Sequence, residues 1–336
     1  MDLVTQVVLG AAVGEVVLGK KAGNKAILWG AVGGLIPDLD VLIAPFYSDV
    51  DGLFVHRGFS HSIVFSFILA PLLGWLAYYI HRKKLDVSKY DWMKLIFWAA
   101  FTHPIVDYLT TYGTGAFLPF SDYRVELSTV GIVDVFYTLP LILVLVTIMF
   151  IKRSSLLRRR LIVSVVILTS GYLGATILNK LYVNSVFENA FAENSIEYDR
   201  YRTTPLPLSN FLWMGLAETE GGYFMGLYSN FDSEKPNEFI FIARNNDKLA
   251  EFKDNEGLKK LIKFTKGWYH VGEDANGLYL ADLRFGKAGL DEKADYIFKF
   301  NLEETEGKLR IQQSTQSRAM EPGAFKAFLD RIKGVH

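Results

Sequence analysis

No cysteine occurs among the 336 residues of this chain. Disulfides, thiolate zinc sites and cysteine nucleophiles are excluded together, and the redox compartment is left undecided. An excess of charge of either sign is also missing. Lys plus Arg number 36, Asp plus Glu number 36, and the net charge is zero, so nothing points to nucleic acid. The opening stretch MDLVTQVVLGAAVGEVV lacks a basic leader and a clear cleavage site. It reads as a retained first helix rather than a signal peptide. Internal repeats and low-complexity tracts are not evident.

Apolar residues are what the chain has in quantity. They make up 50% of it, against 21% charged, a balance that suits a protein part membrane and part soluble. Apolar runs at 3–18, 26–36, 63–80, 92–108, 132–151 and 161–182 predict about six helices. The first pair is short and open to a re-entrant or interfacial reading. Ser60 stands where it could cap the 63–80 helix. Between 47 and 62 lies a polar loop, YSDVDGLFVHRGFSHS.

Lys and Arg gather in three loops, at 20–25, 82–94 and 152–160. The positive-inside rule assigns these loops to the cytoplasm. Alternation then puts the remaining connections, both termini and every His and carboxylate motif at the outer face. The expected location is a membrane, crossed several times.

The composition changes near residue 186. A polar, proline-containing stretch, ENAFAENSIEYDRYRTTPLPLSN, reads as a linker. Beyond it, a hairpin turning at 220–222, the strand EFIFIAR and a helical spacing over 247–264 are expected. Strands at WYHVG, GLYLADLRFG, ADYIFKFNLE and LRIQQST follow, with a closing helix over 322–332. The fold class is therefore a membrane all-α bundle (1–185) followed by a small soluble α+β domain (186–336), of mixed or antiparallel sheet, on the extracytoplasmic side. His270 has no partner at ligand spacing there. A substrate-shaping or partner-binding role is expected of that domain.

The chemistry is concentrated in HPIVDYLTTYGTG, residues 103–115. His103 and Asp107 are four apart and share one helix face, which Thr110 and Thr111 continue. His103 follows the basic loop by about ten residues, hence ~15 Å of helix rise. Ionisable groups at that depth are costly and point to function. Pro104 removes one helix hydrogen bond. The other polar groups assigned to this face are Asp38, Asp40, His56, His61 and Asp134, with Arg57, Arg124 and Glu126.

Imidazole and carboxylate without sulfur suit zinc, manganese or iron. Arginine beside such ions is a natural partner for phosphate. Each element also has a plain structural reading. PDLD can be a Pro turn, His56 and Arg57 interfacial loop residues, and His61 a hydrogen-bonder. His103 with Asp107 can tie two helices or relay protons, and Asp134 can cap a helix.

In order along the chain, GGLIPDLDVL, HRGFSHS and HPIVDYLTTYGTGAFLPFSDYRVELSTVGIVD resemble the YdjM family. These are bacterial and archaeal inner-membrane proteins described as membrane-bound metal-dependent hydrolases. The resemblance covers about the first 150 residues. The family is in turn distantly similar to zinc-dependent phospholipase C and P1-type nucleases. That similarity implies metal ligation by Asp38, His56, His61, His103 and Asp107, and phosphoester hydrolysis. A second helix carrying the phospholipase HxxxE/D pair is missing here, and the C-terminal domain is not part of the shared core.

The expected protein is thus an integral membrane metal-dependent hydrolase of a phosphoester, with a lipid among the candidate substrates. A divalent metal, zinc first and manganese second, would be held by Asp38, Asp40, His56, His61, His103 and Asp107. Asp134, Arg57 and Arg124 are the expected catalytic residues, Asp134 as a base orienting the attacking water or as a further ligand. The partners are the lipid bilayer and a lipid or phosphoester substrate, with no nucleic acid. Two other classes stay open: a proton-coupled transporter built on His103 and Asp107, and a non-catalytic scaffold or regulator acting through the C-terminal domain.

Overall fold

The structure is a computed structural model, and it describes residues 1–290, 294–305, 308–314 and 323–335. The chain divides into two compact units. The first comprises Met1–Ile43, Val55–Ile177 and Pro207–Ser209, and the second Ala44–Phe54, Leu178–Leu206 and Asn210–His336.

The first unit is helical. Helix α1 spans Leu3–Ala22. Asp2 caps it by accepting from the Thr5 amide at 3.1 Å, and Lys20 and Lys21 occupy its last turn, where cations suit the helix dipole. Gly23, at φ 59°, turns the chain into α2, Asn24–Leu35. The two helices approach until backbone meets backbone. A Cβ on Gly10 would lie 2.4 Å from the Gly30 carbonyl oxygen, and one on Gly30 2.2 Å from that of Gly10. Small residues four apart permit such contact in membrane helices; here they are Gly10 and Gly14 against Gly30 and Gly34. The 3-10 segment Ile36–Leu42 follows and carries the PDLD motif.

The expected polar loop contains a helix, α3, Asp49–Val55, most of which belongs to the second unit. Helix α4 is Ile63–His81. Its cap is Ser62, accepting from the Phe65 amide at 3.1 Å, and not Ser60. Helix α5, Lys89–Tyr108, starts from a capping box between Ser88 and Asp91 and packs on α1, α2 and α4. Its Trp92, Leu95, Ile96, His103 and Asp107 are wholly buried. Helix α6 is Val135–Met149, and α7 is Leu156–Glu193.

Among the described residues, four helical segments are long and apolar enough to cross a membrane: Leu3–Ala22, Asn24–Phe46, Ile63–His81 and Leu156–Glu193. Helix α6 is apolar but has only 15 residues. The expected set of six differs in α6 and in α5, whose His103 and Asp107 are covered by protein. Large apolar side chains stand exposed on α4 and α7, such as Leu72 at 63% and Leu168 at 64%, as suits a lipid-facing surface.

The expected linker does not begin at 186. Helix α7 has 38 residues and runs to Glu193. Val183, Val186, Phe187, Ala190 and Phe191 are buried, and most pack with Trp213, Ala217 and Tyr228 in one core. Strands β1 (Arg200–Pro205), β2 (Leu212–Thr219), β3 (Gly222–Ser229) and β4 (Ile240–Ala243) form an antiparallel sheet in that order. The β2–β3 hairpin closes with Thr219 opposite Gly222.

The stretch over 247–264 splits into a 3-10 segment, Asn246–Phe252, and helix α8, Glu256–Phe264. A second antiparallel sheet follows, again in chain order: β5 (Tyr269–Asp274), β6 (Gly277–Asp282), β7 (Lys299–Thr305) and β8 (Lys308–Gln313). The closing helix, α9, is Ala324–Ile332. Pro322 and Thr315, which the sequence places in that helix and in the last strand, lie outside the described residues.

Candidate metal centre

Three motifs meet inside the helical unit. Asp38 comes from the 3-10 segment after α2, His61 from the turn before α4, and His103 and Asp107 from α5. All four side chains are buried, and one ligand atom from each lies within 4.8 Å of every other. His61 Nε2 is 3.2 Å from Asp38 Oδ1 and 3.4 Å from Asp107 Oδ2. His103 Nε2 is 3.5 Å from Asp38 Oδ1 and 3.6 Å from Asp107 Oδ2. The two Nε2 atoms are 3.0 Å apart.

These separations have a simple reading. Four donors at ~2.0–2.1 Å from one ion, arranged tetrahedrally, stand about 3.3 Å from one another. Five of the six edges here measure 3.0 to 3.6 Å. Among the described residues, buried oxygens of the group, Asp38 Oδ2 and Asp107 Oδ2, have no hydrogen-bond partner. The donor set, two imidazoles and two carboxylates, therefore fits a divalent ion such as zinc or manganese.

The ring nitrogens on the far side fix the two imidazoles. His103 Nδ1 is 2.7 Å from the Gly34 carbonyl, which can only accept. That nitrogen therefore carries the proton, and Nε2 presents its lone pair. His61 Nδ1 is 2.9 Å from Ser60 Oγ and 3.3 Å from Asp40 Oδ2. Ser60 gives its own proton to Asp40 Oδ2, at 2.8 Å, so its lone pair takes the His61 proton. With both rings neutral, the inward nitrogens are unprotonated, and two lone pairs at 3.0 Å repel unless a proton or a cation lies between them. Carboxylate and carbonyl partners behind ligating histidines are the usual outer layer of a metal site.

Asp40 thereby stands apart from Asp38. Residues two apart on a 3-10 helix, at three per turn, face different ways. Asp38 meets the Nε2 side of His61 and Asp40 its Nδ1 side. Asp40 also accepts from the Arg57 amide at 2.9 Å and pairs with His56 Nδ1 at 2.9 Å. His56, expected as a ligand, is turned to Asp40 and to the Tyr112 ring and is not one of the four converging groups.

Arg57 is buried, with a φ of 55°. Its Nη1 donates to Thr110 Oγ1 at 2.7 Å, and its Nη2 to the Met1 carbonyl at 3.1 Å. Its Nε, 3.5 Å from Asp107 Oδ2, lacks a hydrogen-bond partner. Arg124 donates from Nε and Nη2 to the Gly113 carbonyl, and from Nη2 to the His56 carbonyl. It ties the 113 turn to the 56 turn.

Asp134, expected as a base or ligand, is not among the four. It accepts from the Phe136 and Tyr137 amides at 3.0 and 3.1 Å, and from Tyr172 Oη at 2.7 Å. Those bonds cap α6 and join it to α7.

Several contributors escaped the sequence. Gln6 donates to Asp107 Oδ1 at 2.9 Å and to the His103 carbonyl at 3.2 Å. The Met1 amino group also donates to Asp107 Oδ1. The Gly34 carbonyl is invisible to any search by side-chain type. Its signal was the paired four-residue glycine spacing of α1 and α2.

His270, in the second unit, has its Nδ1 2.6 Å from the Ala243 carbonyl and its ring against Tyr279 and Tyr296. Burial pushes its pKa down, with Lys248 and Lys287 adding to the effect.

A family model described as YdjM inner membrane protein matches residues 1–182, the stretch that supplies all four converging side chains. Inner membrane protein YbcI of Escherichia coli (strain K12) is 33% identical over 110 residues, 32% of this chain and 61% of that protein. The match thus spans less than two thirds of that relative's length. No solved structure matches the chain. With more than half of its length matched, this membrane protein belongs to the YdjM inner membrane protein family.

Proposed function

We propose that the chain is a membrane-embedded, metal-dependent hydrolase of a phosphoester. The observation that carries this is the convergence of Asp38, His61, His103 and Asp107 with edges near 3.3 Å. Those four would hold the ion. When bound, a divalent ion supplies Lewis-acid polarisation of a phosphoryl oxygen and a lowered pKa for water.

The chain's own residues do the rest. Asp40 and Ser60 hold the His61 proton on Nδ1, and the Gly34 carbonyl holds that of His103. Gln6 and the Met1 amine set the Asp107 carboxylate through Oδ1, which leaves Oδ2 facing the imidazoles. Arg57 keeps one donor, Nε, beside that oxygen. It is the cation placed to meet an anionic substrate oxygen. Arg124 supports the surrounding turns, and Asp134 accepts its hydrogen bonds at the start of α6 and from Tyr172 of α7.

Burial of the group within apolar helices favours a phosphoester that reaches it from the bilayer, such as a lipid. The group and the second unit then belong to the extracytoplasmic side, opposite the three basic loops.

The test is hydrolysis by the purified full chain with added zinc or manganese. The substrates are bis(p-nitrophenyl) phosphate and phosphatidylglycerol in mixed micelles. Turnover that falls at least about 100-fold in Asp107→Asn is expected. A protein that binds the ion tightly yet cleaves neither phosphodiester would sink the hydrolase and leave the metal centre standing.

A further inference from the structure

The strongest feature outside the Asp and His group lies at the other end of α1. From Gln6, which touches the metal-ligand group, to Lys20 is fourteen residues of helix, or ~21 Å at 1.5 Å per residue. There a cavity of about 450 Å³ opens between the last turns of α1 and the start of α7. Its lining includes five cations, Lys20, Lys21, Arg153, Arg158 and Arg159, against two carboxylates, Glu15 and Asp91.

Both carboxylates are already matched. Arg158 clasps Glu15 through Nε and Nη2 at 2.7 and 2.6 Å, and both side chains are buried. Arg158 Nη1 also donates to the Ile148 and Ile151 carbonyls. Lys21 pairs with Asp91 at 2.8 Å. Arg153 spends one nitrogen on the Lys21 carbonyl, at 2.7 Å. Among the described residues, three positive charges, on Lys20, Arg153 and Arg159, are left without a carboxylate at the cavity.

The first turn of α7 opens on the same cavity. Ser155 Oγ accepts from the Leu157 amide at 3.2 Å, and the positive helix end adds to the field of the cations. A soluble anion would need no more than this. The cavity also has an apolar side, formed by Val16, Val17, Ile162 and Val163. Val17 and Val163 are each 37% exposed, on helices long and apolar enough to cross a membrane.

We infer that this cavity is a binding site for an anionic phospholipid. Its phosphodiester sits among Lys20, Arg153 and Arg159, and an acyl chain runs along the Val17 and Val163 wall. Basic pockets between membrane helices bind such headgroups. The buried Glu15–Arg158 pair keeps α1 and α7 in register below the headgroup and does not bind the lipid itself.

The experiment is a thermal-unfolding titration of the full chain in neutral detergent. The additives are dioleoyl phosphatidylglycerol, dioleoyl phosphatidylcholine and glycerol 1-phosphate. Phosphatidylglycerol is expected to raise the midpoint saturably, and the other two are not. Lys20→Gln with Arg159→Gln should weaken the phosphatidylglycerol response about tenfold or more. Lys20→Arg with Arg159→Lys should keep it, and Arg159→Gln alone serves if the double variant does not fold. Asp107→Asn, at the far end of the unit, should respond as the parent does. Equal shifts with both lipids, an undiminished response in the Gln variants, or a full response to glycerol 1-phosphate would overturn the assignment.

Discussion

His61 Nε2 and His103 Nε2 face each other at 3.0 Å, and each ring has already given its Nδ1 proton to a partner behind it. A proton or a cation between them relieves that opposition. Two acceptors so close, with Asp38 and Asp107 oxygens beside them, form a site built for a cation.

The partners behind the rings can be removed without touching the four ligands. Ser60→Ala frees His61 Nδ1, and Asp40→Asn replaces the charge that orients it. Each should lower zinc affinity by ~10–100-fold, the usual cost of losing such a partner. The midpoint of unfolding of the metal-free protein should change little. Competition with a chromogenic chelator reads the affinity. Unchanged affinity in both would mean that His61 does not ligate.

The contact between α1 and α2 positions the Gly34 carbonyl. Gly10→Leu or Gly30→Leu would drive a side chain into backbone 2.4 or 2.2 Å away. Overpacking of this kind costs ~1–3 kcal/mol or more when backbone must move. Both variants should lose thermal stability and metal together, because His103 loses the carbonyl that holds its tautomer. Leu at Gly171, which faces open space, should be tolerated. Chromatographic homogeneity with metal content checks all three.

In the second unit, His270 gives a pH dependence with a definite sign. Its folded pKa lies below its ordinary value, mainly through burial, so the unfolded chain binds the proton first as pH falls. Its contribution is complete above the unfolded value of about 6.5 and declines as pH drops through it. Unfolding midpoints of the full chain at pH 7.5 and 5.5 should differ less in His270→Gln than in the parent. An equal or larger difference in the variant would show that other groups govern this range.

Orientation can be read from single cysteines, since the chain has none of its own. Ser48→Cys should react with an impermeant thiol reagent added to intact cells, as should Ser314→Cys. Ser154→Cys, in the basic loop before α7, should react only after permeabilisation. Labelling of Ser314→Cys only in opened cells would place the second unit in the cytoplasm.

Much of the site was legible because its residues are of rare types at fixed spacing. His103 and Asp107, four apart on α5, do place both side chains toward one point, with Nε2 and Oδ2 3.6 Å apart. The motifs PDLD and HRGFSH deliver Asp38 and His61 to that point. Spacing alone could not separate Asp38 from Asp40, because the 3-10 geometry that turns them apart is not encoded in a two-residue interval. Gln6 and Gly34 were hidden for another reason. An amide and a backbone carbonyl become partners only once helices pack.

The same holds for the second unit. The polar residues after 186 made the end of the last apolar run look like a boundary, yet α7 continues to Glu193. Asn179 and Lys180 within it are met by Asn210 and by the Thr203 carbonyl. Val183, Val186, Phe187, Ala190 and Phe191 carry a helical period that polar neighbours masked. The turn at Gly221 was legible, because a two-residue loop with a glycine at φ 81° is local chemistry.

The central claim is tested most directly by elemental analysis of the purified full chain, before and after exposure to zinc or manganese followed by desalting. About one divalent ion per chain is expected in the parent. His103→Ala and Asp107→Asn should bind none after the same treatment, since an amide is a poor ligand for such an ion. A parent protein that retains no ion, or variants that retain as much as the parent, would contradict the metal centre.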